Sequence, residues 1–333
     1  MNLTLLNYLN VVCFIANLVV TYGVGVLGIG GLATNTELSE KYQTLVTPVG
    51  FAFAIWGLIF IAQFIFAIVQ LLPSFRGAPL VAKAIGYDYV GVCLSQIAWT
   101  LAFTFEVIWL SFLAMLSILY FLLSTVNDQY KLQDTTTFRD YWLLKFPFSI
   151  HCGWIIAASF VNLSVFLVDL GVSPSAQYFV ALGTLVSLLV VACFSVSFPN
   201  RPEYVIPAVL AWASFGIYME LDDPKELIAT NFTENRIGLV RNGSLITACV
   251  IVVAIVVKFI LNAVKKSDDG GNADGYTRYD DSHSRASQSR ASQSRASQSK
   301  ASKRTAKSKE STDDTKSYAP SMTSGLSEGL SEV

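Results

Sequence analysis

Charge is scarce in this chain: 14% of its 333 residues are Asp, Glu, Lys or Arg, against 53% that are apolar. The scarcity is uneven. Residues 1–264 hold 11 of the 23 Lys/Arg and 14 of the 24 Asp/Glu, which splits the chain into an apolar body and a polar tail. Histidine is rarer still, with His151 and His283 the two present, so no histidine cluster exists to hold a metal. The five cysteines, Cys13, Cys93, Cys152, Cys193 and Cys249, lie in apolar runs without a CxxC pair, which argues against a disulfide framework or a zinc site. No Ser/His/Asp set, HExxH, paired carboxylates or phosphate-binding loop is present, and the expectation is a protein that is not an enzyme. A net charge of −1, with the basic residues of the body confined to short loops, gives no footprint for nucleic acid.

What the chain has instead is long uncharged runs. Thr47 to Leu72, TPVGFAFAIWGLIFIAQFIFAIVQLL, contains no charge and stops at Pro73. As a helix rising ~1.5 Å per residue it crosses a hydrocarbon layer ~30 Å thick. Similar runs cover Leu9–Leu32, Tyr87–Phe105, Val107–Val126, Pro147–Leu170, Ala176–Phe198, Tyr204–Leu221 and Gly243–Val264. The first is too long for a signal-peptide core, and its glycines (Gly23, Gly25, Gly28, Gly30, Gly31) would let a neighbouring helix approach closely. The fold class to expect is all-α: a polytopic membrane bundle of about eight transmembrane helices. Residues 33–46 and 127–146 read as polar loops, and Glu106 marks a tight connection.

An even number of spans puts both termini on one side. With that side cytoplasmic, the inner loops carry Arg76, Lys83, Lys131, Arg139, Lys145, Arg201, Lys265 and Lys266, and the outer ones Lys41, Lys225, Arg236 and Arg241. The bias of eight to four places both termini in the cytoplasm. The seventh-to-eighth loop is then extracytoplasmic, where Asn231-Phe232-Thr233 forms a glycosylation acceptor. From residue 265 onward the chain is a Ser/Arg-rich tail in which R/K-A-S-Q-S recurs every five residues, with Arg285, Arg290, Arg295 and Lys300 in register. Such a segment buries too little apolar surface to offset its chain entropy and is expected to stay disordered. Its basic stretch, Ser282 to Lys309, could meet anionic lipid headgroups, with phosphorylation of the serines releasing it.

Two spans carry patterns that lipid does not require. In the second, Phe53, Trp56, Phe60 and Gln63 share a face, with Gln70 two turns beyond. An amide in hydrocarbon needs a partner, so Gln63 and Gln70 demand an interior. In the fifth, His151, Trp154, Ala158, Asn162, Val165 and Asp169 form one stripe, which should also face inward, with His151 near the inner membrane interface. The two helices run in opposite directions, so Trp56 and Asn162 fall at similar depth. Trp99 and Trp109 flank the outer turn at Glu106. Such side chains more often serve as helix-packing core than as the wall of a pocket.

The run Pro48-Val49-Gly50-Phe51-Ala52-Phe53-Ala54-Ile55-Trp56 resembles the opening of the second helix in the TspO/translocator family of tryptophan-rich sensory proteins, and Trp154, Ala158 and Asn162 match that family's W-x-x-x-A-x-x-x-N on its fifth helix. Gln96-Ile97-Ala98-Trp99 stands where the family has N-x-x-W. A longer branch with additional C-terminal helices, to which Ala211-Trp212-Ala213-Ser214-Phe215-Gly216-Ile217 would belong, is especially similar. The resemblance implies a five-helix bundle over residues 9–170; the apolar runs add three further helices over 171–264, and composition gives the tail from 265. Spacing and depth allow a ligand site walled by Phe53, Trp56, Trp99, Trp109 and Asn162, with Trp154 deeper and Ala158 leaving space, and the resemblance implies an aromatic pocket there for a flat apolar molecule such as a porphyrin or haem. The sterol-type L/V-x-Y-x-K/R pattern is absent after Asn162, where the chain reads LSVFLVDLG. The expected partners are a hydrophobic small molecule and membrane lipids, with a homodimer left open. The competing function is a secondary transporter of a small solute, although the spans lack the paired charges and broken helices that coupled transport uses.

Overall fold

The computed structural model describes residues 2–132, 137–197 and 203–265, and among them every regular element is helical. The Ser/Arg-rich tail, with its repeat and basic stretch, lies outside the described residues, as does Arg201. Residues 1–262 form one compact unit; of the second, 263–333, the described part is the last turn of a helix.

Seven helical segments among the described residues are long and apolar enough to cross a membrane: Leu5–Val26, Gly50–Val69, Ile108–Lys131, Phe138–Asp169, Pro174–Ser197, Val205–Asp222 and Glu234–Lys265. Asp88–Thr104, with 17 residues, is the eighth long helix of the bundle. In chain order the α-helices are α1 (Leu5–Val20), α2 (Asn35–Lys41), α3 (Ile55–Val69), α4 (Asp88–Thr104), α5 (Ile108–Lys131), α6 (Phe138–Asp140), α7 (Phe146–Asp169), α8 (Pro174–Ser197), α9 (Val205–Asp222), α10 (Glu226–Asn231) and α11 (Glu234–Lys265).

Several boundaries differ from the sequence reading, each for a local reason. The first span starts at Leu5, behind Thr4, whose backbone N–H donates to the Asn7 side chain at 3.0 Å. It ends in a π-helical turn, Thr21–Val26, because Gly28, Gly30 and Gly31 take φ of 60°, 84° and 76° and cannot continue a right-handed helix. Those three glycines break the chain rather than pack it. The loop 33–46 contains α2, started by a capping box in which the Thr34 hydroxyl accepts from the Glu37 N–H at 3.2 Å and the Glu37 carboxylate accepts from the Thr34 N–H at 2.7 Å. The second span opens as a 3₁₀ turn, Gly50–Ala54, before α3. At the other end of the bundle, α5 runs on to Lys131, and the helix resumes at Phe138, eight residues before α7, so residues 127–131 and 138–146 are helical rather than loop. The eighth span begins at Glu234, nine residues before Gly243.

At the centre stands α7, which packs against α3, α5, α8 and α9. It is buried nearly all round its first half: Phe148, Ile150, His151, Cys152, Trp154 and Ile155 are each at most 4% exposed. In lipid the helices gain no hydrophobic driving force from one another, so close packing and interhelical hydrogen bonds hold them. The amides supply those bonds. Asn7 donates to the Gln70 Oε1 at 2.9 Å, and Gln70 Nε2 donates to the Asn7 carbonyl at 2.9 Å, tying α1 to the end of α3. Gln63 meets His151 Nδ1 at 2.7 Å, and the Tyr89 hydroxyl donates to Gln63 Oε1 at 3.3 Å, tying α3, α7 and α4. His151 is therefore a fully buried partner between helices. α11 is exposed along most of its apolar length and lies at the edge of the bundle.

Candidate functional site

The cavity forms where the 3₁₀ turn and the first turns of α3 meet α7. Pro48 and the 3₁₀ turn deliver Phe53 and Trp56 on one face, and the period of α7 brings Trp154, Ala158 and Asn162 to the facing side. Trp99 on α4 closes a third side. These six side chains line one cavity of about 490 Å³. Trp56 and Asn162, on antiparallel helices, share it as their matched depth requires.

Trp109 does not join them. It is 54% exposed on α5, because Ile108 and Ser111 turn inward there and a residue one step from Ile108 points about 100° away. The outer pair of tryptophans expected to act together is thus divided, with Trp99 in the wall and Trp109 on the outer surface of the bundle.

The aromatic wall is held by edge-to-face contacts. The Trp154 ring receives Phe53 at 5.5 Å and 84° and Trp56 at 6.3 Å and 82°, and Trp56 lies 5.7 Å from the His151 imidazole. Such arrangements are preferred over face-to-face sandwiches. Trp99 stacks on Phe103 at 5.3 Å and 13°. Asn162 Oδ1 accepts from the Ser111 hydroxyl of α5 at 3.5 Å, a long bond that leaves the amide weakly committed. The indole N–H groups of Trp99 and Trp154 and the Asn35 Oδ1 are buried with no hydrogen-bond partner.

Towards the end of the bundle that holds α2, the lining turns polar. Asn35, Thr36, Ser39 and Glu40 of α2 contribute, together with Lys225 from the connection after α9. Lys225 lies 3.4 Å from Glu220. α2 is fastened at its C-terminal end, where Lys41 Nζ and the Tyr42 hydroxyl (2.9 Å) both donate to Glu106 Oε2 in the α4–α5 turn. The Lys41 ammonium first, then the Tyr42 hydroxyl, hold the Glu106 carboxyl below the usual carboxylate range. Tyr42 is pushed up to about 12, first by burial and then by its bond to Glu106, so it remains a donor throughout the physiological range.

Sequence reasoning missed part of the wall. Phe60 and Gly57 lie on the same stripe as Phe53 and Trp56 and were legible from it. Tyr22, whose ring meets Phe60 at 5.3 Å, comes from the glycine-rich turn after α1, and Met115 comes from α5. Lys225 carries no local signal, since it reaches the cavity through the path of the chain after α9. Among the described residues no three His, Cys, Asp or Glu side chains converge as a metal site would require.

A family model described as TSPO-like protein matches residues 7–261 of the chain. No curated protein and no solved structure matches it.

Proposed function

The chain belongs to the TSPO-like protein family, and on that premise we propose that it is a multi-pass membrane protein that binds a flat apolar small molecule in the aromatic cavity, for sensing or translocation. The observation that carries this reading is the convergence of Phe53, Trp56, Trp99, Trp154, Ala158 and Asn162, from three separated parts of the sequence, on one cavity of about 490 Å³. That volume lies within the range of small-molecule sites, ~300–1,000 Å³, and the wall follows their pattern of mostly apolar lining with a few polar groups. Ala158 leaves room where a larger side chain would fill the space. The partnerless indole N–H groups of Trp99 and Trp154 can only donate, which suits a ligand carrying acceptor atoms.

A tetrapyrrole, porphyrin or haem, fits the ring-lined wall. Among the described residues that line the cavity there is no histidine or cysteine, and His151 turns its Nδ1 to Gln63, so the fit is argued from the ring faces. Titration of the detergent-solubilised protein with protoporphyrin, followed by tryptophan fluorescence, tests the reading. Saturable quenching at one ligand per chain is expected. Quenching that rises linearly with no saturation, as partition into micelles would give, overturns it.

The second reading, a secondary transporter of a small solute, draws on the charged rim formed by Glu40 and Lys225. Ion-gradient-driven uptake of a polar solute by proteoliposomes, without saturable porphyrin binding, would select it. The positive-charge bias supports cytoplasmic termini, which turns the α2 end of the cavity away from the cytoplasm. On that side Asn231 is exposed at the end of α10, where a glycan can attach, and a glycosidase-sensitive mass that Asn231→Gln abolishes is the expected result.

A further inference from the structure

Four of the lining residues, Pro48, Gly50, Phe53 and Ala54, sit on a segment with little regular structure of its own. Between Thr47 and Ile55 the chain makes one 3₁₀ turn, whose hydrogen bonds are poorer than those of an α-helix. What holds this segment lies more than 150 residues away, on α9. The Trp212 indole Nε1–H donates to the Ala52 carbonyl at 3.1 Å. The Val49 N–H donates to the Gly216 carbonyl at 3.0 Å. The Phe51 ring stands edge-on to the Trp212 indole at 5.3 Å and 71°. Gly216 allows this approach: a β-carbon there would lie 3.0 Å from the β-carbons of both Ala52 and Pro48.

α9 is itself fixed along α7. A β-carbon on Gly153 would meet the Val209 β-carbon at 2.9 Å and the Ile206 carbonyl at 3.1 Å, so the two backbones touch. At the start of α9 the half-buried Glu203 carboxylate accepts from the Ser149 hydroxyl of α7 at 3.1 Å and from the Val205 N–H at 2.9 Å. The helix that grips the 3₁₀ turn is therefore registered against the helix that carries Trp154, Ala158 and Asn162.

We infer that α9 is part of the ligand site, with Trp212 a positioning residue that sets Phe53 against Trp154 through the Ala52 carbonyl. The inference rests on the cavity reading above and extends it: the site is a composite in which a helix beyond the fifth span fixes one wall, and the chain leaving that helix supplies Lys225 to the rim. Since the indole donates to a carbonyl and does not line the cavity, its effect on binding passes through the position of Phe53.

The test uses the full chain labelled with 5-fluorotryptophan, which reports on all six tryptophans, with protoporphyrin as the probe. Trp212→Phe keeps an aromatic ring against Phe51 and removes the donor. Gly216→Ala leaves the donor and forces the turn away. Each should lower protoporphyrin affinity by about 5- to 10-fold, the scale of one lost hydrogen bond, and each should move the fluorine resonance of Trp154, whose ring feels Phe53 at 5.5 Å. Trp142→Phe, at an exposed ring outside the cavity lining, should do neither. A resonance that stays in place, with affinity within twofold of the parent in both variants, overturns the positioning role. If Trp154→Ala also leaves affinity intact, the cavity reading has failed rather than the α9 contact alone.

Discussion

The side-chain amide of Gln63 and the imidazole of His151 meet at 2.7 Å in the interior of the bundle, where the two residues are 1% and 0% exposed. Both groups are buried against each other, so removing one strands the other. Gln63→Leu should destabilise the protein by about 1–3 kcal/mol, the penalty of an unsatisfied buried group. The double variant with His151→Leu should lose less than the sum of the two single changes, because both groups of the pair are then gone. Thermal unfolding in detergent measures all three.

The close approach of α7 and α9 gives a steric prediction. With the Ile206 and Val209 contacts at 2.9–3.2 Å, Gly153→Val must push two backbones apart, an overpacking expected to cost about 1–3 kcal/mol. Gly183→Val on α8 has open space at the β-carbon and should cost well under 1 kcal/mol by the same unfolding assay.

The contact of Lys41 and Tyr42 with Glu106 predicts a pH effect with a definite sign. The Glu106 carboxyl is lowered in the folded chain, so the contact is fully formed above the ordinary carboxylate pKa and is lost as pH falls through the lower, folded value. Glu106→Gln should reproduce at neutral pH the faster amide hydrogen exchange that acid brings to residues 35–42. Global unfolding should barely change, since the ion pair is solvent-exposed and worth little. Equal exchange in the parent and the variant at neutral pH would show that the pair does not hold α2.

How much of this was legible in the sequence varies with the origin of each feature. The uncharged runs disclosed the long helices, and the spacing of Trp154, Ala158 and Asn162 placed three side chains on one wall, because both follow from helix period and hydrocarbon thickness. Gln63 and Gln70 announced that they needed an interior. Their partners, His151 and Asn7, stayed hidden, since a hydrogen bond across 88 or 63 residues leaves no local pattern. Trp109 misled because proximity to a turn resembles proximity to a site; the inward turn of Ile108 and Ser111 decides its direction. The stripe on α7 understated that helix, which is buried on most sides because four other helices surround it. Trp212 could be read as one more tryptophan, but not as the donor to Ala52.

The central claim is that the ring-lined cavity between α3, α4 and α7 is where the ligand sits, and one set of dissociation constants tests it most directly. Protoporphyrin binding is measured by fluorescence quenching for the parent chain, for Trp154→Ala and Asn162→Ala in the wall, and for Trp109→Ala on the outer surface. The wall variants should bind at least about 10-fold more weakly, as the loss of an aromatic contact or a polar anchor of ~1.4 kcal/mol or more entails, with Trp109→Ala unchanged. Undiminished binding by both wall variants, or a loss confined to Trp109→Ala, would contradict the account.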